Sequence, residues 1–208
     1  MIEELNNNLF LSINRLANKF KLIDISAVVT AEYLPFFFIG VLLYLWFYSR
    51  GDGKNHALYA GYSALSGVSF NLLITLFYFH PRPFMNRMGT ALINHVPETS
   101  FPSDHTTLML SIAITLFLIR AERKIGAALF LLGIIGGLTR VFCGIHYPFD
   151  ILGSLIVAFF SSTLVLCFKG NLVTVNQYII NTYFQIVRKK TAKANSRAQL
   201  NPNRWDST

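Results

Sequence analysis

The sequence predicts an all-α fold, a helical bundle that crosses a membrane about five to six times and carries amphipathic interfacial helices at its ends. Two observations support this class. Of the 208 residues, 53% are hydrophobic and only 13% are charged, a composition that favours a membrane protein over a soluble domain. The chain also contains five long apolar segments, and a chain of this length cannot bury five such helices in a soluble core.

The amino-terminal segment, residues 3–20, places Leu and Ile side chains at helical spacing between Asn, Arg and Lys. This pattern predicts a helix that lies in the membrane interface. Each of the five apolar segments that follow has the roughly 17–25 residues needed to cross a hydrocarbon core of ~30 Å, the third at the short end. The predicted spans are 25–48, 57–79, 103–119, 125–145 and 149–168.

The carboxyl-terminal segment is more polar. Thr174, Gln177, Asn181 and Gln185 fall along one face, which predicts a second interfacial helix over 172–187 and then a disordered basic tail. We therefore expect one membrane-embedded domain over 1–170, followed over 171–208 by an interfacial helix and a basic cytoplasmic tail.

Positive charges are unevenly distributed between the predicted loops. With the amino terminus outside, twelve Lys and Arg residues lie on the inner side and five on the outer side, as the positive-inside rule requires. The loop 80–102 and the turn 144–148 then share the outer face. Membrane topology and anionic lipids account for the basic tail. Because no aromatic side chains interleave with its lysines, we expect no nucleic-acid partner.

The stretch that joins the last two predicted spans, residues 139–150, carries three ionisable residues, Arg140, His146 and Asp150. Such residues at membrane depth are costly and indicate function by default. A carboxylate on one ring nitrogen of the His fixes its tautomer and leaves the other nitrogen free to attack. The planar Arg side chain suits a phosphoryl group. In the alternative interpretation, Asp150 only caps the next helix and His146 is a polar turn residue; this stretch alone does not separate the two.

Two further polar clusters fall on the same predicted face. His80 and Arg82 follow the second span, and Ser103, Asp104 and His105 open the third. Ser and Asp are favourable N-cap residues, and the free N–H groups of a helix amino end attract anions. Taken singly, Arg82 can be explained as a snorkelling anchor and His105 as a water-facing residue at a helix start. Three clusters on one face favour a shared anion site.

These motifs resemble the type 2 phosphatidic-acid phosphatases, a family that also includes acid phosphatases and vanadium haloperoxidases. The family pattern is Lys, six residues, Arg-Pro; then Pro-Ser-Gly-His; then Ser-Arg, five residues, His, three residues, Asp. The chain has Arg82-Pro83, Pro102-Ser103-Asp104-His105, and Thr139-Arg140 with His146 and Asp150 at the family spacing. The resemblance covers about residues 25–168 and is closest to the bacterial undecaprenyl-diphosphatases linked to bacitracin resistance.

The resemblance implies a metal-independent lipid phosphatase of the bacterial plasma membrane, without a cofactor and with its site on the extracytoplasmic face. The implied reaction converts undecaprenyl diphosphate, an isoprenoid diphosphate lipid, to the monophosphate through a phosphohistidine. This reaction recycles the carrier lipid for cell-wall synthesis and gives bacitracin resistance. In this scheme His146 is the nucleophile, Asp150 holds its tautomer, and His105 transfers the leaving-group proton. The implied phosphate-binding residues are Arg82, Arg140, Ser103 and Asp104, the last through nearby backbone N–H groups.

The chain departs from the family pattern beside the expected phosphate site. Thr75 stands where the family has Lys, and His80 or Arg87 are the candidate replacements. Asp104 replaces Gly and puts a negative charge beside the anion site unless its side chain turns away to cap the helix. Thr139 in place of Ser keeps the hydroxyl group.

Two polar residues within the predicted spans, Glu32 and Asn71, share the leaflet of the site and are candidate pocket residues. For Glu32 the alternative is a protonated or snorkelling side chain that is hydrogen-bonded to a neighbouring helix. The sequence shows no carboxylate cluster with the spacing of a metal site.

Other functions stay open at the level of sequence. The same chemistry suits phosphatidylglycerol phosphate, phosphatidic acid or lipid A. A non-enzymatic scaffold or transporter subunit fits the composition but leaves the three ordered motifs unexplained. Apart from the lipid substrate and membrane lipids, the sequence identifies no partner.

Overall fold

The computed structural model describes residues 1–49 and 51–200. The predicted fold class is confirmed: the described residues form an all-α membrane helical bundle, with no strand and one isolated bridge between Pro81 and Thr99. Four helices, α2, α3, α5 and α6, are long and apolar enough to cross a membrane, and α4 is a shorter apolar helix. The helices are α1 Ile2–Asn14, α2 Lys21–Phe47, α3 Gly53–Phe77, α4 Asp104–Leu118, α5 Arg123–Phe142, α6 Pro148–Cys167 and α7 Lys169–Leu200.

Helix bounds differ from the predicted ones mainly at the two ends of the chain. The five apolar helices begin and end within four residues of their predicted positions. Helix α1 ends six residues before the predicted end at residue 20, because the chain turns through Asn18 with a φ of 64° before α2 begins. Helix α7 continues to Leu200, beyond the predicted end at 187, because the added residues are mostly strong helix formers. The last predicted tail residues, 201–208, lie outside the described residues.

The chain divides into two compact units, the first ending at Cys167 and the second beginning at Phe168. In the first unit α4 packs against α3, α5 and α6, and most of its residues are buried. Glycines permit these close approaches: a Cβ at Gly67 would lie 2.8 Å from Ser111 Oγ, and one at Gly133 would lie 2.9 Å from Leu110 Cδ2. Small residues of this kind allow helices in membranes to pack closely.

Helix α1 packs against the rest of the first unit through one face that carries two asparagines and a phenylalanine. Asn6, Phe10 and Asn14 lie one turn apart and are all buried. Asn6 Oδ1 accepts a hydrogen bond from the Phe149 N–H, and Asn14 Nδ2 donates to the Thr90 and Phe142 carbonyls. The leucines of the predicted apolar face remain exposed, so α1 presents them away from the bundle.

Candidate active site

The loop between α3 and α4 is folded back on itself. Pro81 and Thr99 form the isolated bridge, and the Ser100 N–H donates to the His80 carbonyl at 2.6 Å. This pairing places the segment that contains Arg82 beside the segment that ends at Ser100. Two stretches separated by nearly twenty residues therefore contribute to one site.

The turn between α5 and α6 presents His146 to this loop. Gly144 has a φ of +80°, and a Cβ there would lie 2.3 Å from the Thr90 carbonyl oxygen, so the turn requires glycine. Asp150, in the first turn of α6, accepts a hydrogen bond from the Tyr147 N–H at 2.7 Å. The carboxylate therefore caps its helix, as the alternative interpretation proposed, and also faces the imidazole.

His146 is held by Ser100 as much as by Asp150. Its Nδ1 lies 2.9 Å from the Ser100 carbonyl oxygen and 3.4 Å from Asp150 Oδ2. A carbonyl oxygen can only accept, so Nδ1 carries the hydrogen and Nε2 carries a lone pair without a hydrogen. The Ser100 hydroxyl in turn donates to Asp150 Oδ2. Sequence reasoning missed Ser100, since a backbone carbonyl that orients a distant ring leaves no sequence signal.

Burial keeps the imidazole neutral. His146 is 2% exposed, and burial lowers its pKa to about 3, with the Asp150 carboxylate opposing this shift and the positive charges of Arg140 and Arg82 adding to it. The ring is therefore neutral near neutral pH, with its one hydrogen on Nδ1 and none on Nε2. An unprotonated nitrogen beside guanidinium groups can attack an electrophilic centre in an anion.

The two predicted arginines are buried and fixed by backbone carbonyls. Arg82 Nη1 lies 3.0 Å from the Ile145 carbonyl oxygen and 3.2 Å from His146 Nε2. Arg140 Nη1 donates to the Ala31 carbonyl at 3.0 Å. That carbonyl lacks its helical partner because Pro35, four residues later in α2, has no N–H. The Nε–H groups of both arginines are buried without a hydrogen-bond partner, as expected of donors that await an anion.

These groups border a pocket of about 550 Å³, which we call the site pocket. Of the predicted site residues it brings together Thr75, Arg82, Asp104, His105, Arg140 and His146. The other lining residues are Val68, Ser69, Leu72, His95, Glu98, Thr99 and Pro102. The predicted residues that do not line it are Glu32, Asn71, His80, Ser103 and Asp150.

Asn71 and Ser103 lie behind the pocket wall. Asn71 is fully buried, and its Nδ2 donates to Asp104 Oδ1 at 2.8 Å and to Thr107 Oγ1 at 3.0 Å. The amide thus ties back the carboxylate that replaces the family's glycine. Ser103 precedes α4 without a side-chain cap hydrogen bond; its hydroxyl accepts from Thr106 Oγ1. Ser103 stands at the N-cap of α4, as predicted, but its side chain does not line the site pocket.

Neither candidate replacement for the family's lysine reaches the site pocket. His80 faces Asp150 instead, and Arg87 is exposed in a left-handed turn. Thr75 lines the pocket and turns its hydroxyl to the Leu72 carbonyl. Glu32 lies in α2, half-buried, where its charge acts on Arg140.

Two residues that sequence reasoning missed, His95 and Glu98, join this pocket. Glu98 Oε1 lies 2.9 Å from Arg82 Nη2 and 3.5 Å from His95 Nδ1. The pKa of His95 is lowered mainly by burial and secondly by the positive charge of Arg82. Within residues 1–49 and 51–200, no group of three His, Cys, Asp or Glu side chains is placed to hold a metal ion.

The comparisons with known proteins agree with the motifs. The model of the PAP2 superfamily matches residues 56–173, more than half of the chain. The chain belongs to the PAP2 superfamily. The resemblance predicted from the three motifs is therefore confirmed.

Relatives within and near the PAP2 superfamily cover most of the chain. It is 36% identical to undecaprenyl-diphosphatase BcrC of Bacillus subtilis over 91% of this chain and 97% of that protein. It is 26% identical to the bacitracin transport permease protein BcrC of Bacillus licheniformis, over 85% of this chain and 86% of that one. Its fold is similar to the crystal structure of Aquifex aeolicus LpxE, with a TM-score of 0.65, 23% identity, and coverage of 78% of this chain and 94% of that one.

Proposed function

We propose that this chain is an integral-membrane lipid phosphatase that hydrolyses the terminal phosphate of undecaprenyl diphosphate to give the monophosphate. The similarity to undecaprenyl-diphosphatase BcrC supports the substrate. One observation carries the chemistry: His146 Nε2 is unprotonated and lies 3.2 Å from a guanidinium nitrogen of Arg82, in a pocket that Arg140 and His105 also line.

In the first proposed step, His146 Nε2 attacks the terminal phosphorus and the bond from phosphorus to the bridging oxygen breaks. The products are a phosphohistidine and undecaprenyl monophosphate, whose leaving oxygen receives a proton from the protonated form of His105. The attacking ring gains positive charge, which the contacts of its Nδ1–H with the Ser100 carbonyl and the Asp150 carboxylate stabilise. Charge on the transferring group is stabilised by Arg82 and Arg140.

In the second step, water attacks the phosphohistidine, and the phosphorus–nitrogen bond breaks. His105 accepts the proton of the water, and inorganic phosphate leaves with His146 regenerated. The first-turn N–H groups of α4, next to Asp104, add donors at the same anion site. We assign Ser103 to shaping this helix end, since it lies behind the pocket wall.

We further propose that the site opens on the extracytoplasmic face. The excess of Lys and Arg on the opposite loops supports this orientation. There the enzyme would regenerate the carrier lipid for cell-wall synthesis. The same conversion would give bacitracin resistance, a proposal that the similarity to undecaprenyl-diphosphatase BcrC and to the bacitracin transport permease protein BcrC supports.

The decisive experiment measures phosphate release by the purified protein in detergent with EDTA present. Undecaprenyl diphosphate is compared with phosphatidic acid and phosphatidylglycerol phosphate, for wild type and His146→Gln. We expect metal-independent release that favours the diphosphate and is lost in the variant. Acid-labile, base-stable label on the protein from ³²P-labelled substrate, absent in the variant, identifies the phosphohistidine.

Two other outcomes would change the proposal. Faster release from a monophosphate lipid keeps the mechanism and overturns the substrate. No release above that of the variant with any of the three lipids, from protein with wild-type helicity, supports the scaffold or transporter alternative.

A further inference from the structure

The Asp150 carboxylate has a second face that the proposed reaction does not use. Its Oδ2 receives hydrogen bonds from the Ser100 hydroxyl and the Tyr147 N–H and faces His146. Its Oδ1 faces His80 Nδ1 at 3.6 Å. Both of these atoms are buried, and neither has a hydrogen-bond partner. Asp150 therefore stands between two histidines.

The His80 ring is fixed in this position from several sides. It stacks on Tyr78, with 6.1 Å between ring centroids, and contacts the Tyr147 ring at 5.0 Å. Its backbone N–H donates to Thr99 Oγ1, and its carbonyl accepts from the Ser100 N–H. The histidine that faces Oδ1 thus belongs to the same folded loop that supplies Ser100 to His146.

His80 and Asp150 line a second pocket of about 560 Å³, which does not include His146. The charged group that faces them there is Glu3 on α1, and Asn6 on α1 also lines this pocket. The interaction with the Asp150 carboxylate raises the pKa of His80, while burial opposes the shift and Glu3 adds weakly to it. His146 therefore lines the site pocket, whereas the contact between His80 and Asp150 lies at the second pocket.

We propose that His80 is a positioning residue that donates its Nδ1–H to Oδ1 of Asp150 and so keeps the other carboxylate oxygen directed at His146. A contact of 3.6 Å is slightly longer than a hydrogen bond, and such contacts commonly tighten when substrate binds. The catalytic consequence rests on the proposed function; the contact itself does not. His80 therefore supports the nucleophile instead of replacing the family's lysine.

A spectroscopic experiment tests the contact without turnover. Histidine titrations by NMR are recorded on the protein with labelled histidines in detergent, and His80→Phe identifies the His80 resonance by its disappearance. We expect the pKa of His80 in Asp150→Asn to fall relative to wild type, because the carboxylate that raises it is gone. An unchanged pKa would overturn the proposal.

Kinetics test the consequence for catalysis. His80→Phe keeps an aromatic ring but removes the donor, and we expect kcat to fall about tenfold to a hundredfold, the range for loss of a hydrogen bond to a charged group. KM should change little, because the residue does not line the site pocket. His80→Gln, which keeps an N–H donor, should recover most of the activity.

Tyr78→Leu is the matched control, since it removes the stacking ring and keeps the donor. Equal activity of His80→Phe and wild type, or an equal loss in Tyr78→Leu, would overturn the positioning role. If wild type releases no phosphate, the proposed function fails, and the NMR titration still decides whether His80 pairs with Asp150.

Discussion

The neutral state of His146 predicts how the stability of the protein depends on pH. The pKa of His146 is about 3 in the folded protein and about 6.5 in an unfolded chain. Below pH 6.5 the unfolded chain binds a proton that the folded protein does not bind, so the free energy of unfolding falls as pH falls. The loss is about 1.4 kcal/mol per pH unit, or about 2.7 kcal/mol at pH 4.5.

Replacing His146 by Gln removes this dependence and keeps an N–H donor for the Ser100 carbonyl. Between pH 7.5 and 4.5, the melting temperature of wild type should fall further than that of the variant, by about 5–10 °C, from the roughly 2–4 °C per kcal/mol of chains this size. The measurement is thermal unfolding in detergent, followed by far-UV circular dichroism. Because every other titrating group is present in both proteins, the difference isolates His146. Parallel pH dependences would mean that the imidazole is charged in the folded protein, and the proposed attack would need another activation step.

Three further predictions follow from the site pocket. His105→Ala should slow hydrolysis of undecaprenyl diphosphate less than that of phosphatidic acid, because a phosphate monoester is a better leaving group than an alkoxide; equal losses in turnover would contradict this role. Glu98→Gln should lower KM and strengthen inhibition by vanadate about two- to fivefold by freeing Arg82, a modest gain because the pair is partly exposed; weaker inhibition would show that the carboxylate helps to bind substrate. Asn71→Ala should raise KM by releasing the Asp104 carboxylate into the pocket, and adding Asp104→Gly should reverse the increase; a double variant no better than the single one would refute this account.

The fold and the clustering of the candidate catalytic residues could be predicted because their signals are local in the sequence. Apolar runs determine the membrane helices, and their observed bounds lie within four residues of the prediction. The spacing from Arg140 to His146 and Asp150 places all three at one helix connection. The ends of the chain were less predictable, since α1 ends at Asn14, ahead of a turn in which Asn18 has a positive φ, and composition does not encode this backbone conformation.

The supporting contacts of the site could not be predicted because they join distant parts of the chain. The Ser100 carbonyl acts on a ring 46 residues away, and Asn71 restrains a carboxylate 33 residues away. His80 was predicted only as a possible pocket residue, and the direction of its side chain depends on how the loop after α3 folds back. A sequence pattern identifies a histidine at this position, but it does not show which oxygen of the Asp150 carboxylate that histidine faces.

Helix α4 has only 15 residues, which gives a length of about 22 Å, some 8 Å less than a typical hydrocarbon core of ~30 Å. Arg120 and Arg123 follow its carboxyl end and hold that end at one membrane surface. Its amino end, which borders the site pocket, then stops below the opposite surface. A lipid headgroup can therefore reach the pocket by sinking within its own leaflet, with its hydrocarbon tail still solvated by neighbouring lipids. Hydrophobic mismatch between α4 and the bilayer would thus set the depth of the site pocket, and with it the depth of the proposed reaction.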